Sequence, residues 1–160
     1  MRPRKRLIGV IGSSVGTPEQ LAQARVVGRL IAERGAALLC GGMTGVMTAA
    51  AQGAQEAGGL TIGILPGANA YESPPNDYIE IPLFTGLREA RNYLIACASE
   101  GLIAIGGGYG TLSEIALGLR LGKPVVLLNS WQFAIKGEPL EAPTAHTPEE
   151  AIDLLWGLLP

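Results

Sequence analysis

Residues 102–114 read LIAIGGGYGTLSE: an apolar run of strand length, Leu102 to Ile105, then three glycines, Tyr109, a fourth glycine, and Thr111 three residues before Glu114. A strand that runs through a glycine-rich turn into a helix is the repeating unit of parallel α/β folds. The glycines serve either a tight strand-to-helix turn or the close approach of backbone N–H groups to an anion. Glu114 has a role in each case. It closes a capping box begun by Thr111, or it places a carboxylate beside a bound phosphate.

The same alternation extends in both directions. Further apolar runs lie at Leu7 to Ile11, Ala36 to Cys40, Leu60 to Leu65, Ile79 to Phe84 and Val125 to Leu128. Most are continuous rather than alternating, as strands covered on both faces require. Helical patterns over 18–34, 45–58, 86–99, 111–121 and 148–159 accompany them. The fold class is therefore read as α/β: a Rossmann-like, doubly wound, mostly parallel sheet of about six to seven strands with helices on both faces. Thr17-Pro18-Glu19-Gln20 and Thr147-Pro148-Glu149-Glu150 each offer a hydroxyl cap, a proline at the first helical position and a Gln or Glu that reaches back. Pro66 to Asp77 lacks periodicity and reads as a long loop over the sheet edge or the site. Trp131 to Ala145 reads as irregular, and His146 as a surface-loop histidine.

A chain of 160 residues, 48% of them hydrophobic, suits one domain over 7–160 behind a basic N-terminal tail, 1–6, containing Arg2, Arg4, Lys5 and Arg6. Only 16% of residues are charged, against roughly 25% in soluble domains generally, so a homo-oligomer, dimer or tetramer, is expected to cover apolar surface. A formal net charge of -2 gives no general attraction to nucleic acid or membrane, and neither is expected as a partner. Cys40 and Cys97 read as buried reduced thiols, which suits the cytoplasm. No apolar run approaches ~18 residues, so no membrane span is expected.

In an open parallel sheet, ligands collect at the carboxyl ends of the strands. Two more turns rich in small residues fall there, Gly12-Ser13-Ser14-Val15-Gly16 and Gly41-Gly42-Met43-Thr44-Gly45-Val46. A phosphorylated, nucleotide-like ligand is the leading expectation. Its candidate contacts are Gly12, Ser13, Ser14, Gly42, Thr44, Gly45, Gly107, Gly108, Tyr109, Gly110 and Thr111. No full G-x-G-x-x-G and no acidic residue after the second strand are present, which argues against an NAD site, and the absence of G-x-x-x-x-G-K-[ST] argues against a P-loop. No residues show metal-ligand spacing. Leu87, Ala90, Leu94 and Ala98 form an apolar stripe at helical spacing, with Arg91 inside it or at its edge. An inward guanidinium would meet a phosphate, Glu114, or both; otherwise it snorkels to solvent. Arg88 is a weaker candidate for the same contacts.

The segment Gly107 to Glu114, with Arg91 fifteen residues before Gly106, resembles the P-G-G-x-G-T-x-x-E motif and preceding arginine of the LOG family, the cytokinin riboside 5′-monophosphate phosphoribohydrolases, also called lysine decarboxylase-like. The two other glycine turns look like that family's first and second motifs. The wider superfamily includes molybdenum cofactor carrier proteins and DprA-like relatives. The resemblance implies that Arg91 and Glu114 are catalytic residues for hydrolysis of the N-glycosidic bond of a nucleoside 5′-monophosphate, a reaction needing no cofactor. Three positions depart from the motif: Gly106 replaces its proline, Asn92 the lysine after the arginine, and Ser113 the first of two glutamates. The short chain and Ala90-Arg91-Asn92 are similar to the carrier branch, in which the molybdenum cofactor is a bound ligand and is not turned over; loss of the lysine and of one glutamate favours that alternative, and retention of Arg91 with Glu114 the hydrolase.

Overall fold

The computed structural model describes residues 1, 3–139 and 142–160. Arg2 of the basic tail, and positions 140 and 141 of the segment read as irregular, lie outside the described residues. The chain runs β1 (Leu7–Gly12), α1 (Pro18–Glu33), β2 (Ala37–Cys40), α2 (Val46–Glu56), β3 (Thr61–Leu65), β4 (Ile81–Phe84), a 3-10 turn (Arg88–Ala90), α3 (Arg91–Ala98), β5 (Gly101–Gly106), α4 (Tyr109–Arg120) and β6 (Val125–Ser130). It closes with β7 (Ala134–Ile135), β8 (Glu138–Pro139), β9 (Thr144–Ala145) and α5 (Pro148–Leu158). Seven strands form one sheet in the order β4-β3-β2-β1-β5-β6-β9. Every neighbouring pair in it is parallel.

Continuous apolar strands serve both faces at once, because successive side chains point to opposite sides. Ile103, Ile105, Val126 and Leu128 pack with Ala24, Val27 and Ile31 of α1, Ala50 of α2, and Ile152 and Leu155 of α5. Leu102, Ala104, Val125 and Leu127 pack with Ile95 of α3 and Ile115 of α4 on the other face. Edge strand β4 carries Pro82, whose missing N–H is tolerated where only one neighbour is paired.

The first helix start has the expected reciprocal capping box: Gln20 N–H donates to Thr17 Oγ1, and Thr17 N–H to Gln20 Oε1. The second is half of one. Glu150 N–H donates to Thr147 Oγ1, but the Glu150 carboxylate accepts from His146 N–H, one residue further back. Lys5 and Arg6 reach back to the body, Lys5 Nζ to the Gly35 carbonyl at 3.3 Å and Arg6 Nη2 to the Pro160 carbonyl at 2.7 Å.

Four expectations need correction. The segment after Trp131 contains the β7–β8 hairpin, turning at Lys136 (φ 50°) and Gly137 (φ 84°), and the seventh sheet strand, β9. Two-residue strands carry no periodicity for a sequence to display. Cys97 is exposed, whereas Cys40 is buried. The stripe Leu87, Ala90, Leu94 and Ala98 faces largely outward; the buried side of α3 is Ile95 and Ala96. Finally, α4 begins at Tyr109 rather than after Thr111, with Gly108 as its N-cap.

Helices α1 and α2 approach until backbone meets backbone. A Cβ on Gly28 would run into the Ala50 carbonyl, and one on Gly53 into the Arg25 carbonyl. Neither obstacle is a flexible side-chain end. Gly28→Ala should therefore lower stability by roughly 1–3 kcal/mol despite the better helix propensity of alanine, as read from urea unfolding; an unchanged midpoint would show that the pair can separate without cost.

Candidate functional site

β1 lies between β2 and β5, and the connections leaving β1 and β5 run to helices on opposite faces, so the strand order reverses there. The loops at such a switch point diverge and leave a crevice. Here it is a cleft of about 800 Å³. Among the residues expected to form a site, Gly12, Ser14, Arg88, Arg91, Gly108, Tyr109, Gly110, Thr111 and Glu114 line it.

Ser13, Gly42, Thr44, Gly45 and Gly107 stand behind that lining. Ser13 Oγ donates to the Val15 carbonyl and accepts from its N–H, closing its own turn. Thr44 Oγ1 donates to the Ser14 carbonyl at 3.0 Å, and Gly45, at φ 65°, lies against the Ser13–Ser14 backbone. The second glycine turn thus buttresses the first. Gly42 (φ 74°) packs against Gly63 and Leu65, and Gly107 (φ 119°) sits against the buried side chain of Thr111.

Thr111 is therefore no cap. Gly108 is extended and gives α4 no side-chain cap, so the N–H groups of Tyr109, Gly110 and Thr111 have no partner among the described residues. These unpaired donors and the helix dipole make an anion-attracting end. A Cβ on Gly108 would meet nothing within 4 Å, and one on Gly110 only Asn92 Nδ2 at 3.8 Å. Their missing side chains leave open space in the cleft rather than relieving a clash.

Glu114, one turn deeper, is 7% exposed and makes no hydrogen bond or ion pair among the described residues. Burial pushes its carboxyl up to about 7, opposed by the charge of Arg91. Arg91 does face inward, but its partners are backbone: Nη1 donates to the Ile64 carbonyl at 2.8 Å and the Gly41 carbonyl at 3.0 Å. Nη2 lies 4.0 Å from Met43 Sδ. A Cβ on Gly41 would collide with this guanidinium. Burial lowers the Arg91 pKa and the Glu114 charge raises it.

Arg88 reaches the rim from a left-handed backbone, φ 51°, fixed by its N–H donating to the Pro66 carbonyl at 3.0 Å. Two of the three positions that depart from the hydrolase motif, Asn92 and Ser113, touch each other. Asn92 Nδ2 donates to Ser113 Oγ at 3.1 Å, and Ser113 Oγ donates to the Gly110 carbonyl at 2.6 Å.

Several lining residues escaped the sequence reading. Glu72 and Ser73 come from the loop expected over the site, where they accept from Ala68 N–H and Gly67 N–H and shape its bend. Met43 and Met47 furnish an apolar wall, and thioethers carry no motif of their own. Among the described residues no group of three or more His, Cys, Asp or Glu is placed to hold a metal ion, and no helix is long and apolar enough to cross a membrane.

Residues 5–152 match the SLOG cluster4 family (LDcluster4). The molybdenum cofactor binding protein of Rippkaea orientalis is 40% identical, with a TM-score of 0.86 over 97% of this chain and 98% of that one. The Moco carrier protein of Chlamydomonas reinhardtii is also 40% identical, at TM-score 0.85 over the same shares, 97% and 98%. A cytokinin riboside 5′-monophosphate phosphoribohydrolase of Mycobacterium tuberculosis is 31% identical over 71% of this chain, which spans 64% of that enzyme's length.

The buried Glu114 carboxyl makes stability depend on pH. Between its unfolded value of 4.5 and its folded value of about 7, the native chain holds a proton that the unfolded chain has released. Stability attributable to this group therefore falls as pH rises through that window and levels off above it. Glu114→Gln should gain on the parent between pH 5 and pH 8, by on the order of 3 kcal/mol at most, in urea unfolding. Identical pH responses of the two proteins would refute the assignment.

Proposed function

The chain belongs to the SLOG cluster4 family, and from that premise we propose that its cleft binds a phosphorylated small molecule of the molybdenum-cofactor type and holds it without breaking a bond. The observation that carries this reading is the hydrogen bond between Asn92 and Ser113. Where the hydrolase motif has a lysine and a first glutamate, this chain closes a neutral pair. Of the motif's charged groups, Glu114 and Arg91 remain, and Arg91 has spent Nη1 on two strand-end carbonyls. The phosphate takes the free N–H groups of Tyr109, Gly110 and Thr111, with Arg88 beside them at the rim. The similarity to two molybdenum cofactor proteins over nearly their whole length supports the choice of ligand.

One observation favours a second reading, phosphoribohydrolase activity. A carboxyl whose pKa lies at about 7 is suited to protonate a leaving base near neutral pH. In that reaction water adds to C1′ of a nucleoside 5′-monophosphate as the C–N bond breaks, releasing base and ribose 5-phosphate. The outward apolar side chains Ile81, Leu83, Leu87 and Tyr93 support a homo-oligomer under either reading.

Native mass spectrometry of the purified protein after exposure to released molybdenum cofactor should show a bound species, while incubation with AMP should yield no free base. No bound species would remove the carrier reading. Free base from AMP that is lost in Glu114→Gln would establish the hydrolase instead.

Gly110→Ala separates binding from folding. Alanine suits the helix better by about 0.5–1 kcal/mol and meets only Asn92 Nδ2 at 3.8 Å, so unfolding should require more urea. Cofactor binding should weaken because the new methyl fills the cradle. Unchanged binding would move the phosphate elsewhere.

A further inference from the structure

The aromatic rings beside the glycine turn have no part in the reading above. Tyr109 lines the cleft yet is 84% exposed, an unusual position for a large ring in a helix's first turn. Behind it stands Trp131, with ring centroids 6.3 Å apart and planes tilted by 32°. Phe133 stacks on Trp131 at 5.9 Å and 16°. The end of β6 holds this column in place. The β5–β6 register shifts at Gly106 (φ 59°), Asn129 adopts φ 49°, and Ser130 Oγ donates to the Gly106 carbonyl at 2.6 Å. These bends turn Trp131 back onto the glycine turn, where its Nε1–H donates to the Gly108 carbonyl at 3.3 Å.

The residues flanking Tyr109 are Gly108 and Gly110, neither of which brings a side chain near the ring. The column is thus anchored on one side and open on the other. We propose that Tyr109, backed by Trp131, is the stacking face for a planar heteroaromatic ring of the bound ligand, so that the site selects phosphate esters carrying such a ring over phosphorylated sugars alone. This rests on the phosphate-site reading of the α4 N-terminus. The phosphate-binding N–H groups include that of Tyr109 itself, so one residue contacts both ends of the ligand class. Stacking on an exposed aromatic tolerates different ring systems, since every heteroaromatic has a π-face. Tyr109 is in this sense a specificity-determining residue, and Trp131 a positioning residue acting through it.

Calorimetric titration of the full chain with three probes tests this: AMP, 6-hydroxymethylpterin phosphate and ribose 5-phosphate. The protein should bind at least one ring-bearing ester more tightly than ribose 5-phosphate. Tyr109→Ala should weaken that binding by about fivefold or more and change ribose 5-phosphate affinity less than about twofold, while Tyr109→Phe keeps the parent's preference. Trp131→Leu should give an intermediate loss of preference. If ring-bearing and ringless probes respond equally to Tyr109→Ala, or neither responds, the stacking inference is overturned and the phosphate site stands. If none of the three probes binds, the phosphate-site reading fails, and the stacking inference with it.

Discussion

The site depends on Arg91 bridging two carbonyls. The ends of β2 and β3 each present a backbone oxygen, Gly41 and Ile64, with no further strand to satisfy it. Buried carbonyls left bare are costly, and one guanidinium nitrogen satisfies both. Much else follows from this placement. Position 41 has no room for a side chain, because a Cβ would occupy the space of the guanidinium. Helix α3 must begin where it does, with the arginine at its first residue. The fixed positive charge also partly offsets the burial of Glu114, whose carboxyl otherwise has no hydrogen-bonding partner among the described residues.

The glycines of the cleft divide by what a side chain would meet. At Gly12, Gly45 and Gly107 it would strike backbone or a buried side chain, so these residues let the three turns pack together. Gly108 and Gly110 have neither a close neighbour nor a positive φ. Packing gives no reason for glycine at either, and at Gly110 it costs helix stability. Open space kept against local preference, beside unpaired N–H groups, is the feature on which the proposed phosphate site rests.

The sheet, its doubly wound character and the boundaries of α1 and α5 were legible because continuous apolar runs and proline-bearing caps are local signals. The short strands β7, β8 and β9 were not, since two residues have no period. Thr111-Leu112-Ser113-Glu114 fits a capping box by spacing alone, but the helix starts three residues earlier than such a box requires, at Tyr109, and carries both side chains into buried positions. Spacing shows that a face is apolar, not which way it points: Leu87, Ala90 and Ala98 turn outward, and only Leu94 of that stripe packs against the core. Arg91 does face inward, though its partner could not be read: strand-end carbonyls have no sequence signature. Glu72 and Met43 come to the cleft through loop paths that no spacing rule describes, and Met47 from the first turn of α2.

The contact between Asn92 and Ser113 shows why departures from a motif are better considered together than singly. Taken one at a time, each replaces a charged side chain by a smaller neutral one. Side by side, they form a matched donor and acceptor, with Ser113 Oγ–H in turn donating to the Gly110 carbonyl. Had only the glutamate been replaced, a lysine at position 92 would face a hydroxyl near an arginine-containing cleft; had only the lysine been replaced, a second carboxylate would stand one residue from Glu114. Either arrangement leaves an uncompensated charge near a buried ionisable group, which is expensive. The paired change keeps the junction of α3 and α4 intact while removing the charges from it. The unpaired N–H groups at the start of α4 are kept, and of the charged positions in the motif Arg91 and Glu114 remain, which is the arrangement on which the proposed retention of a ligand rests.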